Sequence, residues 1–218
     1  MVFLDSASSS DCARWVGTGI ARGVTTNATI LRRAGELAVG VAVKNILAHE
    51  PDELHVQVIS EDDGQAFDQA VQLAELDSRI RVKIPFVTSQ GRYRAALIRR
   101  AIAVGIPVNV TACTSLPQAF TALSLGPAFV SILWCRTRDA GEDPAQAVAD
   151  IARRRDRFSG DTRLVIGSIR ECDDVTLALR SPADIVTVPP QILETWMQAP
   201  GSVAMASQFA LDAAELTL

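Results

Sequence analysis

A chain of 218 residues with 48% apolar content can bury one substantial core and falls in the size range of a single α/β barrel. Its net charge of −4 gives no basic footprint for nucleic acid, and apolar runs such as Leu37 to Val43 end in charge well short of a membrane span. Cys12, Cys113, Cys135 and Cys172 are too scattered to form a C-x-x-C pair, and MVFLD runs straight into a strand pattern without the regions of a leader, which points to a reduced, cytoplasmic protein.

Short β-branched or apolar runs alternate with longer amphipathic ones along the whole chain, the pattern of repeated βα units around a parallel sheet. Taken in order, the pattern predicts a strand at 2–5 and a helix at 10–17, then a strand at 22–26 and a long helix at 30–48. A strand at 54–58 precedes a helix at 63–77, and a strand at 80–84 precedes one at 90–104. The second half repeats this with strands at 107–111, 129–133, 163–168 and 184–188 and helices at 116–125, 144–156, 172–180 and 190–197. A last helix is expected at 203–216. Arg138 to Pro144 is the one stretch with loop-like composition, between the sixth strand and its helix. The runs Arg32-Arg33, Arg99-Arg100 and Arg153-Arg154-Arg155 fall in helical patterns and read as solvated faces. Without a linker or a G-x-G-x-x-G after the first strand, the expectation is one domain over 1–218, a (β/α)8 TIM barrel with an extra C-terminal helix.

Strand parity then picks out polar residues on the wrong face. In Ile80-Arg81-Val82-Lys83-Ile84 the apolar residues share one parity, so Arg81 and Lys83 point into the barrel. Asn109 and Thr111 do the same between the valines of the fifth strand, as does Gln57 on the third, with His55 lower on the same side. Asp5, Asn27, Ser131 and Ser168 also stand at or near C-terminal strand ends, where barrel enzymes gather their active sites. Each has a plainer reading: Lys83 as a snorkelling edge residue, Asp5 as a helix cap or turn residue, and the Ser, Thr and Asn side chains as partners of nearby backbone. Their convergence on one face at one end favours a pocket.

These residues resemble the small transaldolases and the related fructose-6-phosphate aldolases. The resemblance runs in order through Phe3-Leu4-Asp5, Gly23-Val24-Thr25-Thr26-Asn27, Val82-Lys83-Ile84-Pro85, Gly105 to Thr111, Gln118-Ala119 and Gly167-Ser168-Ile169-Arg170. It implies that Lys83 forms a Schiff base and Asp5 transfers protons, with Gln57 and Thr111 holding the water that serves the imine steps. It also implies that Asn27, Asn109 and Ser131, with Thr26 beside them, bind the ketol unit, and that Arg136, Ser168 and Arg170 grip the phosphate of a sugar-phosphate substrate. No cofactor, metal, nucleic acid or membrane is implied. Family members pack a last helix against a neighbouring subunit, so a homo-oligomer, a pentamer or decamer, is expected.

Three positions depart from the family pattern. Ala28 stands where Pro usually follows Thr-Thr-Asn. Gln57 resembles the aldolase subgroup, whereas Ser131 resembles transaldolases. Leu133 replaces an aromatic residue, and because it offers no proton donor it tilts the expectation toward transfer of a dihydroxyacetone unit rather than its release. Release by an aldolase-like lyase, or a barrel that only binds a sugar phosphate, are the alternatives. A metal-dependent aldolase is disfavoured because His49 and His55 are the only histidines, and a Cys113 or Cys135 nucleophile has no evident His partner.

Overall fold

The computed structural model describes residues 1–158, 160–214 and 216. Eight strands, β1 (Val2–Asp5), β2 (Gly23–Thr25), β3 (Glu53–Gln57), β4 (Ile80–Pro85), β5 (Val108–Cys113), β6 (Phe129–Leu133), β7 (Arg163–Gly167) and β8 (Ile185–Val188), close in chain order into an all-parallel barrel. Every expected strand is present, with ends within two residues of the sequence reading. The fold is a (β/α)8 TIM barrel, and among the described residues no helix is long and apolar enough to cross a membrane.

The helices are α1 (Ser9–Trp15), α2 (Ala28–Arg33), α3 (Val39–Leu47), α4 (Asp63–Leu76), α5 (Ala95–Ala103), α6 (Leu116–Ser124), α7 (Trp134–Asp139), α8 (Pro144–Phe158), α9 (Cys172–Arg180), α10 (Pro190–Met197) and α11 (Pro200–Ala213). Three expectations need correction. The single helix expected at 30–48 is two. Gly35 adopts φ 77°, and the N–H groups of Gly35 and Glu36 bond back to the carbonyls of Arg32 and Leu31, which closes α2 before α3 begins. The helix expected at 90–104 starts at Ala95, because Gly91 at φ 78° completes a turn and the Arg94 N–H bonds to the Phe86 carbonyl instead. The presumed loop after β6 begins inside α7. Trp134 Nε1, Cys135 Sγ and Arg138 all donate to the buried carboxylate of Asp174 on α9, pinning a helix too short to show periodicity. The last helix begins earlier than expected and ends at Ala213; residue 215 of the 203–216 expectation lies outside the described residues.

Two apolar cores result from strand alternation. One parity, including Val24, Val56, Val82, Val108, Val130 and Ile166, packs with the helices, each buried aliphatic side chain contributing roughly 1.5–3 kcal/mol. The other parity fills the lower barrel with a separate cluster of Phe3, Phe129, Val165 and Ile185. Gly23 is required beside it, since a Cβ there would sit 2.6 Å from the Phe3 ring and 2.7 Å from the Glu53 carbonyl. This plug leaves the C-terminal end of the barrel open.

Candidate active site

A cavity of about 500 Å³ opens at the C-terminal ends of the strands. Eight of the eleven expected site residues line it: Asp5, Asn27, Gln57, Lys83, Thr111, Ser131, Arg136 and Ser168. Thr26, Asn109 and Arg170 do not. Leu133 lines the wall, and so do Thr25 and Thr187, which sequence reasoning passed over because a threonine in a strand carries no distinctive signal.

Lys83 is 7% exposed, and its Nζ donates to the backbone carbonyl of Thr26 at 2.8 Å. The snorkelling reading is thereby removed. Thr26 is buried with its own hydroxyl on the His55 carbonyl, so the atom it offers the site is its main-chain oxygen. Asp5 is not a helix cap; Ser8 caps α1 and leaves the Asp5 carboxylate to the cavity. Thr25 donates to Asp5 Oδ1 at 2.5 Å, and Thr187 lies 2.6 Å from Thr25. A threonine hydroxyl has one proton, so when Asp5 is ionised Thr187 must donate to Thr25 and Thr25 to Asp5.

Burial dominates the electrostatics of the pair. It pushes the Asp5 carboxyl above its usual range, against the opposing pull of Lys83 and the Thr25 hydrogen bond. It pushes the Lys83 amine below its usual range, opposed by Asp5. A lysine driven toward neutrality is a nucleophile, and a carboxylate driven toward protonation is a stronger base. By contrast Cys113 and Cys135 are buried thiols pushed up to about 12 and about 11, which makes them poor nucleophiles. No group of three or more His, Cys, Asp or Glu side chains is gathered as metal ligands among the described residues.

Asn27 caps α2, its Oδ1 accepting from the Ile30 N–H at 3.0 Å, which fixes the amide beside the cavity. Ala28 in place of proline leaves this cap intact. Asn109 is wholly buried beneath the cavity floor, where its Oδ1 takes the Ser131 hydroxyl at 2.8 Å. Ser168 and Ala112 also line the wall, and both are non-glycine residues in the left-handed region, at φ 61° and 63°. The Ala112 conformation belongs to a bulge in β5, where the register with β6 shifts between Val110 and Cys113. Two strained residues in one cavity wall suit a site whose shape is held by its surroundings.

At the mouth, Arg136 on α7 lines the cavity, while Arg170 is clasped by Asp139 at 2.7 and 3.1 Å. Arg33 on α2 lines it too. The sequence placed Arg33 on a solvated face, and it is exposed, but the early end of α2 brings that face to the mouth.

The chain matches the transaldolase/fructose-6-phosphate aldolase family over residues 2–217. A protein of Dehalococcoides mccartyi named "Probable transaldolase" is 30% identical over 212 residues, 97% of this chain and 96% of that one. Another of that name from Coprothermobacter proteolyticus is 33% identical over 192 residues, covering 88% and 86%. Among solved structures, a mandelate oxidase superposes with a TM-score of 0.61 at 13% identity, over 87% of this chain and 64% of that one. A flavocytochrome b2 superposes at 0.62 and 13%, over 87% and 57%. This chain thus spans less than two thirds of those two proteins, and at such identity the likeness shows the barrel fold alone. The match along nearly the whole sequence, on a barrel whose open end holds the expected lysine and carboxylate, is of another order: the chain belongs to the transaldolase/fructose-6-phosphate aldolase family.

Proposed function

We propose that the protein is a transaldolase that moves a dihydroxyacetone unit from a ketose phosphate to an aldose phosphate through a Schiff base on Lys83. The observation that carries this reading is the buried, depressed amine of Lys83 opening on the same cavity as the Asp5 carboxyl.

Neutral Lys83 attacks the ketone carbon of the donor sugar. A carbon–nitrogen bond forms, the carbonyl oxygen leaves as water with one amine proton and one proton drawn from solvent, and a protonated imine remains, the drawn proton returning to solvent at the final hydrolysis. Asp5 then removes the proton from the hydroxyl on the far side of the bond to be cut. That carbon–carbon bond breaks, its electrons pass to the imine, an aldehyde departs and an enamine stays on Lys83. In transfer, the enamine carbon attacks the carbonyl of an incoming aldehyde, Asp5 returns its proton to the new hydroxyl, and water releases the product from Lys83. Gln57 and Thr111 serve the water of the imine steps. Asn27 and Ser131 hold hydroxyls of the three-carbon unit, with Asn109 supporting Ser131 from below. Arg136 and Ser168 take the phosphate, since a guanidinium and a hydroxyl supply charge and donors at the cavity rim; Arg170 joins them once it leaves Asp139.

Leu133 favours transfer, because a leucine beside the enamine cannot supply the proton that would release dihydroxyacetone. Gln57 supports simple cleavage as the second reading. Incubation with fructose 6-phosphate and borohydride should fix a reduced adduct on Lys83, located by mass spectrometry. Aldehyde product should then accumulate from fructose 6-phosphate only when erythrose 4-phosphate is supplied; product without that acceptor would make the protein a lyase, and no adduct would leave it a binding protein.

The whole chain acts as one domain in this proposal, and its four free cysteines suit the cytoplasm. The protein works as a homo-oligomer, a pentamer or decamer. Helix α11 has Val203, Met205, Phe209 and Leu211 exposed and no buried residue, an arrangement that a second copy would cover. A monomer by light scattering at micromolar concentration would refute this.

A further inference from the structure

The lower barrel contains a polar line that filling the interior does not require. His55 is wholly buried, set edge-on between the rings of Phe3 and Phe129 with centroids 5.7 and 4.8 Å away. The imidazole is buried with its Nε2 lacking a hydrogen-bond partner among the described residues, and Glu53 Oε2, likewise unpartnered, lies 3.5 Å away. A group retained at that cost invites a role.

The direction of every hydrogen bond along this line follows from its lower end. Arg163 and Arg81 donate to Glu53 Oε1 at 2.8 and 3.4 Å; burial raises the Glu53 carboxyl, but His55 and these arginines outweigh it and hold it ionised. A lone pair on Nε2 would face that carboxylate across 3.5 Å, so the His55 proton resides on Nε2. Burial, reinforced by Lys83 and Arg81 against the pull of Glu53, depresses the ring to about 4 and keeps it neutral, which leaves Nδ1 as an acceptor. The Asn109 group 2.8 Å from Nδ1 must therefore be its amide nitrogen, donating. The amide oxygen then faces upward, and Ser131 spends its one proton on it at 2.8 Å.

We propose that His55 is a positioning residue: with Glu53 it locks the amide of Asn109, so that Ser131 presents lone pairs rather than a proton to the cavity and selects donor substrates carrying a hydroxyl there. This rests on the reading of the site as an aldol-transfer centre. A carbonyl or a methyl group at that position would find an acceptor with nothing to offer it, whereas a hydroxyl would donate.

The test compares fructose 6-phosphate with 1-deoxyfructose 6-phosphate, which lacks one hydroxyl of the three-carbon unit, as donors toward erythrose 4-phosphate. The wild-type chain should prefer fructose 6-phosphate in kcat/KM by about tenfold or more. His55→Phe keeps the aromatic packing, removes the acceptor and should collapse that preference while Lys83 still forms its borohydride adduct. His55→Asn, whose amide oxygen can stand in for Nδ1, should restore much of it. In an Asn109→Leu background His55→Phe should have no further effect on the ratio, because His55 acts only through Asn109. Ser131→Ala tests the same claim without disturbing the barrel interior and should also collapse the preference. An unchanged ratio in His55→Phe or Ser131→Ala, or full additivity with Asn109→Leu, overturns the inference while the adduct on Lys83 upholds the site. No adduct in the wild-type chain overturns both.

Discussion

Asp5 and Lys83 are held in one cavity by different means, and the difference predicts how each fails. Lys83 rests on a main-chain carbonyl, which substitution of neighbouring side chains does not remove, whereas Asp5 depends on the Thr25 hydroxyl and, behind it, Thr187. Asp5→Asn preserves the shape but loses the base, so kcat should fall by roughly 10²–10⁴-fold while the adduct on Lys83 still forms. Burial raises the Asp5 carboxyl, so activity in the wild-type chain should be lost as pH falls through a value above the ordinary carboxylate range, a limb missing from the residual activity of the variant. Leu133 allows the complementary test. Leu133→Tyr places a phenol on the cavity wall, and acceptor-independent release of dihydroxyacetone should rise by up to roughly a hundredfold, the low end for a positioned proton donor; an unchanged ratio of transfer to release would show that position 133 does not govern the enamine's fate. At this scale the sequence was most legible where strand parity applies, as at Lys83, Gln57 and Thr111. It was least legible for Arg33 and Thr187, whose importance comes from where helix α2 stops and which side chain a neighbouring strand brings alongside.

Strands were read well because a fixed alternation and the neighbouring β-branched residues both mark them, so β1 to β8 all fall where expected. Helix ends were read less well. The Gly35 stop between α2 and α3 is a feature of backbone geometry, and α7 owes its existence to Asp174, 35 residues or more away in sequence from the groups it binds. The β5 bulge at Ala112 is likewise invisible to a count of alternating residues. Close packing inside the barrel is as specific. Gly23→Ala on β2 would drive a methyl group against both the Phe3 ring and the immovable Glu53 carbonyl, and should cost about 1–3 kcal/mol in denaturant unfolding. Full stability in that variant would mean that the Phe3–Phe129 cluster is looser than its burial indicates.

For the molecule as a whole, acid sensitivity traces to the buried interior. His55 is ordinarily protonated below about 6.5 in an unfolded chain, but in the fold it accepts a proton only near 4. Between those values the unfolded state binds more protons, so stability rises with pH through that window and is fully present above it. That difference corresponds to roughly 3 kcal/mol. Unfolding free energies measured from pH 4 to 7.5 should therefore climb less steeply in His55→Phe than in the wild-type chain, and equal slopes would place the acid sensitivity elsewhere. The closed ring of strands has one further consequence. Helices α2 and α7 follow β2 and β6, four strands apart in a ring of eight, so Arg33 and Arg136 stand on opposite banks of the opening although the chain carries net negative charge. An anion approaching from either bank meets a guanidinium before it meets the floor. Its encounter rate, seen as kcat/KM for phosphorylated donors, should drop as added salt draws the ionic atmosphere in and screens the two guanidinium groups, while turnover of the bound sugar stays level.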